Sequence, residues 1–255
     1  MKKILLIGES CIDEYIYGTC DRVCPEAPAL CFKSNGEVSS AGGMVQNVLA
    51  NMQSLSPDLE IDVITNHASI VKRRFVDYKY NSIVFRHDES DSCPRINIAD
   101  HSFSDYDACI ISDYCKGFLS ESDIEYIISH VDAGAPKFID TKKPLRPFIK
   151  GVDFIKINKQ EHKNNIDNME QLLSYCHNLI VTCGDKGALH FSRGMPIPFV
   201  HTTSPVDVRD VCGAGDTFLA AFVIRYIESK DIPSSISWAN QCAGKVVRKF
   251  GVTTP

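Results

Sequence analysis

Several features are missing from this 255-residue chain, and each absence removes a class of protein. No stretch approaches the ~20 consecutive apolar residues of a membrane-spanning helix. The N-terminal apolar run, Ile4 to Ile7, lies between Lys2-Lys3 and the polar Gly8-Glu9-Ser10. It is too short for the roughly 7–15-residue apolar core of a secretory signal and reads instead as a first buried strand. The chain is therefore expected to be cytoplasmic, with no membrane partner. It has no basic stripe, and its net charge of −5 argues against a protein that holds nucleic acid by neutralising phosphates. Cysteine is plentiful, with 11 residues, but no CxxC pairs occur with zinc-site spacing; Cys20 and Cys24 are the nearest two. That pattern reads as reduced thiols, many buried as small hydrophobes, in place of a disulfide framework or metal site. No internal repeat, low-complexity tract or Pro/Gly/Ser linker divides the chain. One α/β domain over 1–255 with a small appendage is expected.

What is present is a series of short apolar runs joined by helical patterns. Lys3–Gly8 is the first strand; Val45, Val48, Leu49, Met52 and Leu55 share one face of a helix. Ile61–Thr65, Cys109–Ser112, Lys137–Asp140, Phe154–Asn158 and Leu179–Cys183 read as further strands. Ser120–Val131, with a Ser cap and acidic first turn, and Met169–Cys176 read as helices. Ala188–Ser192 with Ile197–Val200 forms an antiparallel edge pair, and Asp216–Ser229 and Ser234–Phe250 are two long C-terminal helices. This alternation predicts a mostly parallel sheet with helices on both faces. Tyr15–Lys33, and an alternating pair Ile83–His87 and Arg95–Ala99, break the alternation and predict a small β-rich lid over about 14–35 and 83–99.

The stretch with the most chemistry is Asp210-Val-Cys-Gly-Ala-Gly-Asp216. It opens a helix whose apolar residues begin at Phe218. Gly213, Ala214 and Gly215 remove side-chain bulk where the backbone turns into that helix. The free amides and positive dipole end of the helix make an anion site. Asp216 in the first turn also reads as a simple cap, but a cap alone does not call for Gly-Ala-Gly before it. A carboxylate beside an anion hole suits proton removal from a hydroxyl attacking a phosphoryl group, with the amides taking the charge that builds on the transferred oxygens.

Asp-x-x-Gly-Ala-Gly-Asp followed by small residues, here Ala220 and Ala221, resembles the C-terminal signature of the ribokinase-like (PfkB) carbohydrate kinases. The resemblance implies a three-layer α/β sandwich, an alcohol-directed phosphotransferase, and the cofactors ATP and Mg²⁺, with a monovalent cation such as K⁺ as a further candidate. It makes Asp216 the base and Gly213, Ala214 and Gly215 the anion hole, with Asp210 on the nucleotide side. Asn158-Lys-Gln-Glu161 resembles the family's Asn-x-x-Glu motif, which tunes magnesium and phosphate binding; Glu161 would hold Mg²⁺ through water. Thr182-Cys-Gly184-Asp-Lys-Gly187 resembles the turn that lines the nucleotide phosphates, although it also reads as a plain Gly-containing hairpin loop. Asp140-Thr-Lys142 resembles a segment near the nucleotide, and Asn240, Ala243 and Gly244 lie on the helix that flanks adenine in the family. These motifs occur in the family's order, each at a strand end, where open α/β sheets place their sites.

On the substrate side, Asp13 follows the first strand, where the family binds sugar hydroxyls, and Gly43 and Asn47 belong to its Gly-Gly helix motif. Asp13-Glu-Tyr-Ile-Tyr-Gly18, Arg22-Val-Cys-Pro-Glu-Ala-Pro28 and Ser112-Asp113-Tyr-Cys-Lys116-Gly117 resemble segments of the heptose 7-phosphate kinases of lipopolysaccharide-precursor synthesis. The reaction implied is phosphorylation of the anomeric hydroxyl. A phosphorylated acceptor needs cations; Arg22, Lys116, Arg86 and the Lys72-Arg73-Arg74 run are candidates, and since most such runs are merely solvated, Arg22 and Lys116 are the expected pair. Two departures stand out. Ile64–Lys72 is too short for the family's usual turn–helix–turn, and three residues separate Gly42-Gly43 from Asn47 where heptose kinases have two. The chain stops at Pro255, which reads as a kinase without the fused nucleotidyltransferase half of some relatives. The alternatives are a kinase for another sugar phosphate or a nucleoside, with Phe32 or Tyr17 against the base, or a non-catalytic binding module on the same fold. An unpaired lid hairpin would expose a sheet edge, so a homodimer joined through the lid is expected.

Overall fold

The computed structural model describes residues 2–165 and 169–255. In chain order the elements are β1 (Lys3–Gly8), β2 (Ser10–Val23), β3 (Leu30–Met44), α1 (Val45–Leu55), β4 (Glu60–Ile64), β5 (Val71–Asp77) and β6 (Ser82–Glu89). They continue with β7 (Ala108–Asp113), α2 (Glu121–His130), β8 (Lys137–Thr141), β9 (Val152–Asn158), α3 (Lys159–Asn165), α4 (Met169–Tyr175) and β10 (Cys176–Thr182). Last come β11 (Ala188–Ser192), β12 (Met195–His201), α5 (Ala214–Ser229) and α6 (Ile232–Val246).

Eight strands form one sheet in the order β12-β11-β10-β9-β8-β7-β1-β4. Its six strands from β10 to β4 are parallel, and β11 and β12 add an antiparallel edge. The parallel strands are buried on both faces, which is why they read as continuous apolar runs. On β1, Leu5 and Ile7 join the core under α2, while Ile4 and Leu6 join the core under α1, α5 and α6. Phe138, Phe154, Phe222 and Tyr226 stack between sheet and α5, with ring centroids 4.5–6.0 Å apart. A capping box starts α2: Ser120 Oγ accepts from the Asp123 amide and the Asp123 carboxylate accepts from the Ser120 amide. All parallel strands finish at one edge of the sheet; the loops that leave this edge carry Glu9, Tyr114 and Lys142, and the first turn of α3 carries Glu161.

The second sheet has four strands, in the order β3-β2-β5-β6. It corrects the expected lid boundaries. The partner of 82–89 is β5, the Lys72-Arg73-Arg74 run, and not Arg95–Ala99. Arg95–Ala99 forms no strand; Arg95 pairs with Asp123 at 2.7 Å and Ile96 is buried in the main core. The lid strands also start earlier and end later than expected, since β2 begins at Ser10 and β3 runs to Met44. The short stretch after β4 leads straight into the lid. Asn66 fixes that crossing: its Oδ1 accepts from the Ser10 amide at 2.7 Å, and its Nδ2 donates to Ser10 O at 3.2 Å and Ala68 O at 2.6 Å. Three smaller corrections concern helices. Residues 159–165 are helical where none was expected, α4 ends at Tyr175 because β10 begins at Cys176, and α6 ends at Val246, short of Phe250. No helix among the described residues is long and apolar enough to cross a membrane.

Candidate active site

Asp216 lies in the first turn of α5 and is 6% exposed. Its Oδ2 accepts from Asn47 Nδ2 at 2.8 Å and its Oδ1 from the Tyr114 hydroxyl at 2.5 Å. Burial pushes this carboxyl above the usual range, while the Tyr114 and Asn47 hydrogen bonds and the Lys156 ammonium pull it back down. The two donors therefore favour the ionised form that a base requires. Burial and the Asp216 charge hold the Tyr114 hydroxyl well above its ordinary pKa, so it stays a donor.

Each donor is itself held. Asn51 Nδ2 donates to Asn47 O at 2.7 Å and Asn47 Oδ1 at 2.9 Å, and Thr217 Oγ1 donates to Asn51 Oδ1 at 2.8 Å. This side-chain chain ties α1 to α5 and fixes the Asn47 amide with its nitrogen toward Asp216. Tyr114 is set by Glu9, which is fully buried and accepts from the Tyr114 and Lys116 amides, both at 2.8 Å. Gly213 has φ +76, and a Cβ on it would stand 2.6 Å from Asn47 Nδ2, so glycine is required by both backbone and space.

Asp216 and Gly213 stand on a wall shared by two cavities. One, of about 170 Å³, opens toward the lid and is lined by Cys11, Asp13, Lys72, Arg74 and Arg86. The other, of about 500 Å³, lies along the sheet edge and is lined by Asp140, Lys142, Lys156, Asn158 and Thr182. It continues through Gly184 and Gly215 into an apolar cavity of about 210 Å³ that includes Val206, Phe218, Asn240, Ala243 and Gly244. The row suits a small polar acceptor, a polyanion and a flat apolar ring, in that order.

On the acceptor side, Asp13 accepts from Arg74 across the lid, and both are buried. Arg74 also lies over the Tyr15 ring, 5.2 Å from its centroid. A Cβ on Gly43 would stand 2.0 Å from Asp13 Oδ2, so the missing side chain is what lets the carboxylate sit there. The extra residue before Asn47 shows as Met44, buried with φ +56 at the start of α1, a conformation that strains a non-glycine residue. On the polyanion side, Lys156 pairs with Asp140 at 2.6 Å and Lys142 with Glu161 at 2.5 Å. The other Glu161 oxygen accepts from the Asn158 amide at 2.7 Å. Asp140 Oδ1 is buried with no hydrogen-bond partner among the described residues. No three His, Cys, Asp or Glu side chains among the described residues form a metal cage. Two carboxylates beside a cavity fitted for phosphates match Mg²⁺, which keeps most of its waters and binds through phosphate oxygens.

The structure thus brings together Asp13, Gly43, Asn47, Gly213 and Asp216 on the acceptor side. It brings Asn158, Thr182, Gly184, Gly215 and Ala214 to the polyanion and apolar cavities, with Gly187 and Asn240 further along. The Ala214 amide is turned back on Val211 O at 3.3 Å. Four expected residues stand elsewhere. Asp113 is buried in bonds to Thr141, Lys143 and the Cys115 amide, and the residue after it, Tyr114, reaches the site. Arg22 is exposed near the far end of β2. Lys116 pairs with Asp91 outside the cavity. Asp210 ties the Cys212 and Gly251 amides together and lines none of the three cavities. Sequence reasoning missed Tyr114 and Lys156 as site residues, and it counted Lys72 and Arg74 among the candidate cations but ranked them below Arg22 and Lys116. For Lys72 and Arg74, the alternation of β5, with Lys72, Arg74 and Val76 on one face, was the available signal.

Comparison with known proteins agrees with this geometry. The pfkB family carbohydrate kinase profile matches residues 63–255. The bifunctional protein HldE of a Nitratiruptor species is 27% identical over 297 aligned positions, covering 99% of this chain and 63% of that protein. The same protein of Campylobacter curvus is 29% identical over 296 positions, with 99% and 63% coverage. The chain thus spans less than two thirds of these relatives, and they also carry residues with no counterpart here. Among solved structures, ribokinase from Thermotoga maritima superposes with a TM-score of 0.75 at 16% identity, covering 99% of this chain and 95% of that one. Phosphofructokinase-2 from Escherichia coli in complex with potassium gives 0.74 at 12% identity, with 99% and 94% coverage. With the profile covering most of its length, the chain belongs to the pfkB family of carbohydrate kinases and is an ATP-dependent phosphotransferase with an alcohol acceptor.

Proposed function

We propose that this kinase transfers the γ-phosphate of ATP to the anomeric hydroxyl of a heptose 7-phosphate, with Asp216 as the general base. The observation that carries the mechanism is the place of Asp216 on the wall between the acceptor and polyanion cavities, buried and held by Tyr114 and Asn47. An acceptor hydroxyl resting on Asp216 gives its proton to the carboxylate as its oxygen attacks the γ-phosphorus, and ADP leaves on the opposite side. Gly213 and Gly215 at the start of α5, with Lys156 and Lys142, line the cavity where charge develops on the transferred oxygens, and the two glycine amides take the anion-hole role in place of the Ala214 amide, which is already bonded to Val211 O. Glu161, through water, and Asp140 would hold Mg²⁺ beside the nucleotide phosphates, where it would neutralise charge. Asp13, oriented by Arg74, accepts hydrogen bonds from sugar hydroxyls.

Three things support the heptose. The segments Asp13–Gly18, Arg22–Pro28 and Ser112–Gly117 resemble those of heptose 7-phosphate kinases, the relatives above are bifunctional HldE proteins, and the acceptor cavity is cationic. ATP and a charged sugar phosphate as substrates favour the cytoplasm as the site of the reaction. A homodimer through the lid is supported by the lid's outer face, where Ile12, Val38 and Phe85 are exposed. Monomeric sedimentation at micromolar concentration would remove it.

The test is ADP release with Mg-ATP and a panel of heptose 7-phosphate, hexose phosphates, free sugars and nucleosides. Heptose 7-phosphate should be the best acceptor, with the new phosphate on the anomeric oxygen. A better acceptor elsewhere in the panel would keep the kinase and discard the heptose.

A further inference from the structure

The lid's cavity face is a small grid of charges. Because paired residues of neighbouring strands share a face, Asp13, Lys72 and Asp88 form one row across β2, β5 and β6, and Tyr15, Arg74 and Arg86 form the next. Both arginines reach into the first row, Arg74 diagonally to β2 and Arg86 along its own strand β6. Arg74 takes Asp13, and Arg86 grips both oxygens of Asp88, at 2.6 and 2.8 Å. The two carboxylates that flank Lys72 are therefore already matched. Lys72 itself is 9% exposed, lines the acceptor cavity, and makes no side-chain hydrogen bond or ion pair among the described residues. An ammonium whose three donors have no side-chain partner, on a cavity shared with Asp216, is a recognition element for an anion.

The geometry points to Lys72 as the residue that selects a phosphate ester on the acceptor sugar. Lys72 binds that phosphate at the lid end of the cavity while the reacting hydroxyl rests on Asp216 at the other, and Arg86 at the mouth adds long-range attraction. This rests on the kinase reading and deepens it: the lid strand β5, not Arg22 or Lys116, sets the preference for phosphorylated over neutral sugars. Lys72 is a specificity-determining residue, with no part in the chemical step.

The test compares each phosphorylated acceptor with its parent sugar: heptose 7-phosphate with heptose, and fructose 6-phosphate with fructose. Lys72→Met should raise KM for the phosphorylated member by about 10- to 150-fold, the range for losing a charge-assisted hydrogen bond. It should leave kcat, the parent sugar and the KM for Mg-ATP within about threefold. Lys72→Arg should restore most of the preference, and Lys72→Gln repeats the loss without the longer apolar chain. A merely structural lysine would shift both members of a pair alike, and that result would overturn the assignment. The subsite is also read without turnover, by titrating the same four compounds into Asp216→Asn protein with Lys72 intact or replaced. Tighter binding of the phosphorylated member, lost with Lys72→Met, supports the subsite even where no sugar supports ADP release and the kinase reading has failed. Equal binding of phosphorylated and parent sugars to the Lys72 protein, or no binding of either, would sink it.

Discussion

Strand β7 of the main sheet is buried at every residue, whereas strand β6 of the lid has no buried residue at all. The two sheets use the same backbone pairing but are held by different forces. The main sheet has apolar cores on both faces, so its strands lose water whatever is bound. The lid has one face on the cavity and one on solvent, and what fastens it is ladder hydrogen bonds, the Phe32–Phe75–Phe85 contacts and ion pairs such as Arg74–Asp13 and Arg73–Glu14. Regions with few buried apolar contacts open at lower free energy than cores. The difference teaches where this protein keeps its specificity. On the proposed mechanism, chemistry is built on the rigid sheet edge and α5, and acceptor choice on the polar lid.

Replacing residues at the junction should have the largest effect. Asp216→Asn keeps the side-chain shape but removes the base, and should lower kcat by about 10²–10⁴-fold while the dissociation constant for ATP stays nearly unchanged. Wild-type turnover in this variant would remove the mechanism. Next, the lid alone can be broken. Arg74→Met leaves the Asp13 carboxylate buried without its partner, a loss of about 3–5 kcal/mol for breaking a buried pair. Amide hydrogen exchange should show it locally, with faster exchange in β2 and β5 and unchanged protection in β7 and β8. Uniform acceleration would show that the two sheets open as one unit.

The main sheet has its own weak point, on β11, one strand in from the β12 edge. Burial holds the His190 imidazole down at about 4, below its ordinary 6.5, with His201 adding to the effect. A group depressed on folding contributes stability that is present above pH 6.5 and is lost as pH falls toward about 4. Acid should therefore cost up to about 3 kcal/mol from this residue, and His190→Gln, which keeps a donor for Asn178, should flatten the Tm-versus-pH curve over that window. The smallest effect belongs to Lys230, exposed at the C-terminus of α5 with φ +56. Lys230→Gly removes the penalty for a side chain in the left-handed region and should raise stability by about 0.5–1 kcal/mol, read as a small increase in Tm.

The same contrast decides what the sequence could reveal. Ala108–Asp113 and Val152–Asn158 are buried on both faces, so a run of apolar residues identified them. The capping Ser120 and the apolar spacing of Val45–Leu55 placed two helices closely. Lid strands carry no such mark. Val71–Asp77 holds three basic residues in succession and looks solvated until β2 and β6 pair with it, and those contacts are distant in sequence. Arg95–Ala99 alternates as well as any strand, but its backbone contact, from the Ile96 amide to Phe118 O at 2.9 Å, does not extend into a ladder. Helix α3 has no buried residue and so no apolar period to read. At the site, Gly213, Asp216, Asn47 and Asp13 were legible because each sits in a motif with a backbone or charge requirement. Tyr114 was not, since only the Glu9 carboxylate beneath its turn brings it to Asp216, and nothing local records that contact.

The wall shared by the first two cavities has a consequence for ligand design. Among the described residues, only Gly213, Tyr114 and Asp216 lie on both. A single molecule with a sugar at one end and an adenosine at the other, joined by a polyphosphate bridge, would thread all three cavities in sequence. It would draw on the contacts of both substrates while losing overall freedom of motion only once. The spacing of the cavities fixes the bridge: too short a linker leaves one end unbound, and too long a linker gives up the advantage to its own flexibility.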